Sequence, residues 1–404
     1  MSTLPATLLV RGIGTLVTCE EPSTAVTGAS VVADGSGIVF AGAERDMPVL
    51  APRDGFVELD ARGAAVIPGF VDAHTHAIWM GSRGDEFARR AQGVSYEEIA
   101  AQGGGIRATV RATAKASVDE LVETARQRLC AMLRAGTTTV EIKSGYGIDL
   151  DAELRMLEAA ETLGRDATLP DVVGTYLPLH ATPPGNRRDF LDEVLQRGIE
   201  AARPHARFVD AFCEEGAFSV AECGQVLRRA AETGLIPKLH TEQRTRSGGA
   251  LLAAELHAAS ADHLDFASDS DLRALASAGV VGVFLPGASL VLGGPRPPGR
   301  RALEAGMAVA IATDCNPGTC YTESMPLMVS LAVASAGLTP AQALRAATVG
   351  GAKALRLWDR GSIGRGMRAD LCVLGTPDWV DVAYHLGANP IATVVRAGQV
   401  LDAA

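Results

Sequence analysis

Six residues between positions 74 and 314 carry the most suggestive chemistry in the chain: His74, His76, His180, His240, His263 and Asp314. Each lies at the end of an apolar run: "GFVDAHTH", "DVVGTYLPLHA", "IPKLHTEQ", "ASADHL" and "VAIATDCNPG". His74 and His76 are two apart on an expected β-strand, where residues i and i+2 face the same way. That spacing suits two ligands of one metal, and by itself it suits two ordinary histidines at a strand end equally well. Imidazole nitrogens with a carboxylate oxygen form a donor set for Zn2+, or for iron (Fe2+/Fe3+) in an octahedral site. We expect His74, His76, His240 and Asp314 to hold a divalent metal. Asp314 is also a candidate proton carrier and His263 a candidate partner for a developing oxyanion. The plainer alternatives are a pure ligand and a group that only orients its neighbours. His205, His257 and His385 lack this placement and read as surface or structural residues.

Residues so far apart in sequence meet only if the elements between them bring the strand ends together. Eight apolar runs recur from "GFVDAHTH" to "VAIATDCNPG", most of them separated by segments of helical period such as "DELVETARQRLCAMLRAG" and "SVAECGQVLRRAAETG". Continuous apolar strands alternating with helices imply a parallel sheet covered on both faces, and eight repeats imply a closed (β/α)8 TIM barrel. The strands' C-terminal ends then converge on one pocket. Short β segments at both chain ends, from "LLVRGIGTLVTC" to "PIATVVRAGQVL", predict a small flanking β-sandwich domain. The expected division is 1–65 with 361–404 for that domain, and 66–360 for the barrel. An insertion at 77–115 follows the first barrel strand and would overhang the pocket, as a mobile cover or as a plain connecting loop. Its three glycines, Gly103, Gly104 and Gly105, follow no strand and precede no Lys-Ser or Lys-Thr, so they suit a hinge or a close backbone approach rather than a phosphate loop.

Composition narrows the function class. The 404 residues are 47% hydrophobic and 21% charged, enough for a large core, and the net charge of −10 argues against nucleic acid as a partner. No run of eighteen apolar residues and no signal-like N-terminus appear, so neither membrane association nor secretion is expected. Cys19, Cys130, Cys213, Cys223, Cys315, Cys320 and Cys372 are odd in number and contain no C-x-x-C, as in a cytoplasmic protein with reduced thiols. The oligomeric state stays open, a homodimer being one candidate.

"PGFVDAHTH", the later strand-end histidines and "ATDCNPG" resemble the amidohydrolase superfamily, whose members join a barrel and a flanking β-sandwich to a hydrolytic metal. "GSRGDEFARRAQGVSYEEIAAQGGGI", "GTTTVEIKSGYG", "LHATPP", "KLHTEQ", "SADHL", "LPGA" and "TDCNPGT" are similar, in order, to a branch that opens 4-imidazolone-5-propanoate to N-formimidoyl-L-glutamate in histidine degradation. The resemblance implies substrate contacts from Arg83, Tyr146, His180 and Gln243, with Asn316, Gly318 and Thr319 lining the floor. The small-molecule substrate would carry a carboxylate tail, which the planar fork of Arg83 can pair bidentately; a loop salt bridge with Asp85 or Glu86 is the alternative.

Three departures matter. Relatives with two metals bridge them through a carboxylated lysine on strand four. Here that strand reads "FVDAFCEEG" and Lys143 lies on strand two, so a single metal is expected. Some members have a glutamate three residues after the strand-five histidine; here Gln243 stands there, an amide that cannot take a proton, while Glu242 alternates to the opposite side of the strand. The run "LHATPPGNRRDF" is shorter after its prolines than in many relatives. A related deaminase or lactamase of another heterocycle and a non-catalytic scaffold are the competing functions.

Overall fold

The computed structural model describes residues 3–20, 25–94, 98–99, 102–183 and 185–402. Parts of the 77–115 insertion and of the loop after His180 therefore lie outside the described residues, namely 95–97, 100–101 and Pro184. Among the described residues the strands form two eight-stranded sheets. The first holds β1 (Leu4–Val17), β2 (Ala25–Asp34), β3 (Gly37–Ala43), β4 (Leu50–Asp60) and β5 (Ala65–Pro68) from the N-terminal end. The second is the barrel: β6 (Phe70–Asp72), β7 (Thr137–Lys143), β8 (Asp171–Leu179), β9 (Phe208–Cys213), β10 (Ile236–Thr241), β11 (Ser260–His263), β12 (Val281–Phe284) and β13 (Val309–Ile311). The C-terminal end returns β14 (Leu371–Leu374), β15 (Ile391–Arg396) and β16 (Gln399–Asp402) to the first sheet.

All eight expected barrel strands are present, paired in sequence order and parallel. The sheet closes at the ends of β6 and β13, through a parallel bridge between Thr75 and Cys315. There the Asp314 N–H donates to the His74 carbonyl at 3.0 Å, and the His76 N–H to the Cys315 carbonyl at 3.0 Å. The buried Asp72 carboxylate accepts from the Thr313 N–H at 3.1 Å and from its hydroxyl at 2.6 Å. Three of the expected ligands thus sit on the closure itself. The helices begin where capping chemistry places them: Ser117 with Glu120 before Val118–Arg134, and Ser219 with Glu222 before Val220–Glu232, form reciprocal capping boxes.

In the first sheet the order is β16-β15-β14-β5-β1-β2-β3, with β4 pairing along the first half of β1. β5 pairs with both β1 and β14. This sheet accordingly takes residues 66–68, past the boundary expected at 65, through the pairing of Val66, Ile67 and Pro68 with β14. The two sheets are joined under the barrel by Asp171, at the start of β8. Its carboxylate meets Arg360 at 2.8 Å and also Arg368 and Arg396. Burial pushes this carboxyl up, but the hydrogen bonds of Arg368 and Arg360 and the nearby guanidinium charges outweigh it and hold the pKa at about 2.

Removing Asp171 leaves three mostly buried guanidiniums without their shared anion. Asp171→Ala should lower the unfolding free energy by about 3 kcal/mol or more, read from urea unfolding at neutral pH. In the native chain the contribution is present above the ordinary carboxyl pKa and is lost as pH falls towards 2, so the deficit of the variant should shrink in acid.

Candidate metal centre

His74 and His76 follow β6, His240 lies inside β10, His263 ends β11 and Asp314 follows β13. All five are at most 3% exposed. Ligand atoms of His74, His76 and His240 lie within 4.8 Å of one another, as do those of His74, His263 and Asp314. His240 Nε2 is 3.3 Å from His76 Nε2, and Asp314 Oδ1 is 3.5 Å from His74 Nε2 and 3.6 Å from His76 Nε2. His74 Nε2 is buried and has no hydrogen-bond partner among the described residues. Aimed at three other donors, it is a polar atom whose natural partner is a cation. Burial lowers the pKa of His74, His76 and His263, keeping them neutral as ligation requires. Burial also pushes Asp314 up to about 8, a preference for the neutral acid that a neighbouring cation reverses. Asp314 and His263 both sit at positive φ, 50° and 75°, so the strand ends leave regular geometry to aim these two side chains.

Behind the donors lies a layer of buried charge that the sequence analysis passed over. His74 Nδ1 meets Asp262 Oδ2 at 2.6 Å and His240 Nδ1 lies 3.0 Å from Asp210 Oδ2, which turns each Nε2 towards the centre. Lys143 Nζ lies 2.7 Å from Asp210 Oδ2, 2.8 Å from Glu141 Oε2 and 3.7 Å from Asp262 Oδ2. Lys238 Nζ reaches Glu141 Oε1 at 2.8 Å and the Ala73 carbonyl at 2.8 Å. Burial lowers the Lys143 pKa, but the charges of Asp210, Glu141 and Asp262 more than reverse this and keep it an ammonium. The signal for this layer was in the strands. Glu141 with Lys143, and Lys238 with His240, are i, i+2 pairs on β7 and β10, whose other residues are uncharged and mostly buried.

The residues expected to touch substrate gather around the same mouth. The His180 ring stacks on His76 with centroids 4.7 Å apart, and its Nδ1 donates to the Gly145 carbonyl at 3.0 Å. The Tyr146 ring is 5.8 Å from His76 and 5.2 Å from His180, on a turn held by Glu153, which accepts from the N–H groups of Gly145, Gly147 and Ile148. Arg83 donates through Nε to Glu86 at 2.8 Å, so the loop salt bridge exists. Among the described residues no acceptor bonds its two terminal nitrogens. Nη1 lies against Gly318, where a Cβ would approach it to 2.2 Å. Asn316 is committed inside its own turn: Oδ1 accepts from the Gly318 and Thr319 N–H groups and Nδ2 donates to the Asp314 carbonyl. Thr319 donates to Asp314 Oδ2 at 3.3 Å. Gln243 is half-buried on a loop whose N–H groups, its own and that of Arg244, donate to Glu214. Glu242 accepts from the N–H groups of Ser247, Gly248 and Ala250 and therefore only holds a turn. His205 and His257 bond Glu161 and the Ala278 carbonyl, away from the centre, and His385 is exposed.

A family model described as the amidohydrolase family matches residues 65–401. The chain is 44% identical over 397 residues to an imidazolonepropionase of Rubrobacter xylanophilus, covering 97% of this chain and 93% of that protein. It is 48% identical over 341 residues to one of Deinococcus deserti, covering 84% of each. Among solved structures, an adenosine deaminase of Xanthomonas campestris with bound zinc superposes with a TM-score of 0.75 at 21% identity, over 99% of this chain and 93% of that one. At that identity the superposition speaks to the fold alone.

The carboxylates behind the histidines generate an expectation that does not depend on turnover. Asp262→Asn keeps the size of the side chain but weakens the hold on His74 Nδ1. Metal affinity, measured by competition with a chromogenic chelator, should fall about 10- to 100-fold.

Proposed function

This chain belongs to the amidohydrolase family, among the imidazolonepropionases, and from that premise we propose how its residues share the reaction. It is a metal-dependent hydrolase that opens the cyclic amide C–N bond of 4-imidazolone-5-propanoate to give N-formimidoyl-L-glutamate, in histidine degradation. A divalent metal belongs to the site. We assign it to His74, His76, His240 and Asp314, as one ion per chain, Zn2+ or iron. The absence of a lysine from β9 and the full engagement of Lys143 with carboxylates support a single ion. When bound, the metal supplies Lewis acidity that makes a water nucleophilic near neutral pH.

The observation that carries the assignment is the shared mouth. Arg83 Nη1 lies against Gly318, in a turn held by Asn316 whose Thr319 donates to Asp314, one of the metal donors. Asp314 is the group placed to take the proton of the attacking water and return it to the leaving ring nitrogen. Gln243 cannot accept a proton, and Glu242 is spent on three backbone N–H groups. His263, buried with Nδ1 unpartnered, is assigned the hydrogen bond to the carbonyl oxygen as charge develops on it. Arg83 reads the propanoate, Tyr146, His180 and Gln243 orient tail and ring, and the 316–319 turn forms the floor. No helix among the described residues is long and apolar enough to cross a membrane, and a cytoplasmic location is part of the same proposal.

Elemental analysis of the purified protein should give one divalent ion per chain. Asp314→Asn should lower that occupancy, and should lower the rate of loss of imidazolone absorbance by several orders of magnitude, because ligand and proton carrier go together. Near-normal turnover in Asp314→Asn would sink the assignment. Specificity gives a second test. A charged hydrogen bond is worth roughly 1.5–3 kcal/mol and the Arg83 fork makes two, so a substrate without the carboxylate should lose about two to four orders of magnitude in kcat/KM. Arg83→Met should erase most of that preference while keeping the metal, measured with the propanoate and its carboxamide counterpart in both proteins.

A further inference from the structure

Gly103, Gly104 and Gly105 precede the helix Ile106–Thr113, and hydrolysis by itself gives them no task. Their surroundings do. A Cβ on Gly104 would stand 2.9 Å from Glu86 Oε1 and 2.7 Å from Ile99 Cγ2, so only glycine lets the backbone pass there. Gly105 adopts φ 72° and ψ −156°, a conformation essentially confined to glycine. Its N–H donates to Glu86 Oε1 at 2.9 Å. The other oxygen of the same carboxylate, Oε2, accepts from Arg83 Nε at 2.8 Å. One side chain therefore holds the glycine turn with one oxygen and the guanidinium with the other.

On its far side, Arg83 Nη1 packs against Gly318, where a Cβ would stand 2.2 Å from it, and the Gly318 N–H donates to Asn316. Arg90, one helical turn beyond Glu86, donates to the Gly318 carbonyl at 3.5 Å and to the Val291 carbonyl at 3.2 Å, which secures the helix Gly84–Ala91 to the rim. The Arg83 and Glu86 side chains are only 12% and 15% exposed, so the pair is not the solvated surface bridge whose worth is near zero.

We propose that Glu86 is a positioning residue for substrate recognition. By engaging Nε it turns the Nη1/Nη2 edge of Arg83 towards the substrate carboxylate. By holding Gly105 it ties that orientation to the seating of residues 102–113 at the pocket mouth. The inference deepens the reading of Arg83 as the tail-binding group and rests on it. The physical basis is preorganisation: a guanidinium already fixed at Nε loses less rotamer freedom when a carboxylate arrives.

The test uses metal-loaded enzyme, Glu86→Gln and Arg83→Met, with the propanoate substrate and its carboxamide counterpart. Amide hydrogen exchange is followed over residues 102–113. An amide side chain can still accept from Gly105, but its NH2 end cannot accept from Arg83 Nε. Glu86→Gln should raise KM for the propanoate about 10- to 100-fold, the worth of one charge-assisted hydrogen bond, with kcat within about threefold and no change for the carboxamide. Glu86→Ala, losing both contacts, should in addition speed exchange at Gly105, whereas Arg83→Met should leave Gly105 protected and metal content unchanged. An unaltered KM in Glu86→Gln alongside lost discrimination in Arg83→Met would overturn the role of Glu86 and leave that of Arg83 standing. Equal losses on both substrates in Glu86→Gln would reduce Glu86 to a fold-stabilising residue. Should Arg83→Met discriminate like the native enzyme, the reading beneath both would fall.

Discussion

The hold on two metal-site histidines, His240 and His74, depends on the ammonium of Lys143 lying between the carboxylates that back them. Asp210 backs His240 and Asp262 backs His74, and Lys143 stands 2.7 Å from the first and 3.7 Å from the second. Without that cation, two fully buried carboxylates would repel each other and lose solvation together, at a cost of several kcal/mol for each unpaired charge. With it, the histidines are held from behind by carboxylates that lie on β9 and β11, and their ring nitrogens are set against one another at close range. The arrangement is stable only as a whole. Lys238 and Glu141 extend it across the barrel, and Thr175 donates to Glu141. The interior of this barrel is therefore partly ionic where apolar side chains would otherwise fill it.

A second device recurs on the rim. Several loops and turns at or beside the site are pinned by a buried or half-buried polar side chain that accepts backbone N–H groups. Glu153 holds the Tyr146 turn, Glu214 the Gln243 loop, Glu242 the turn that follows, Asn316 the Gly318–Thr319 floor and Glu86 the glycine turn. Loop N–H groups inside a protein need acceptors. Carboxylates supply strong ones, and burial among N–H donors keeps them from competing for the metal. For Glu153, burial pushes the pKa up to about 7 even against four hydrogen bonds that lower it, so the anchor holds with little charge to spare. Precision at the mouth comes from these anchors, while the barrel supplies the frame.

The chain ends play a different part. Their sheet reaches the barrel through Arg360, Arg368 and Arg396 converging on Asp171, on the face away from the metal centre. That junction fixes the start of β8, whose far end presents His180. A contact on the stability face is thereby connected to the position of a site residue by a rigid strand.

The sequence by itself determined the barrel, its eight strands and the donors at their ends. These follow from local rules: apolar runs of strand length, segments of helical period between them, and histidines placed where a covered strand ordinarily ends in apolar residues. Alternation led to the expectation that Glu242 turns from the pocket; the fold instead places it just past β10 at φ 54°, where its carboxylate accepts from the Ser247, Gly248 and Ala250 N–H groups. Tertiary structure decided which charges meet. Lys143 and Asp210 are 67 residues apart, His74 and Asp262 188, and no spacing rule links them. Arg83 had two plausible partners in sequence, a nearby acidic residue and a substrate carboxylate. The fold gives its Nε to Glu86 and leaves its outer edge open, so the two need not compete. The reason is geometric: a side chain's chemistry is written in its type, but its partners are set by where strands separated by whole helices come to lie.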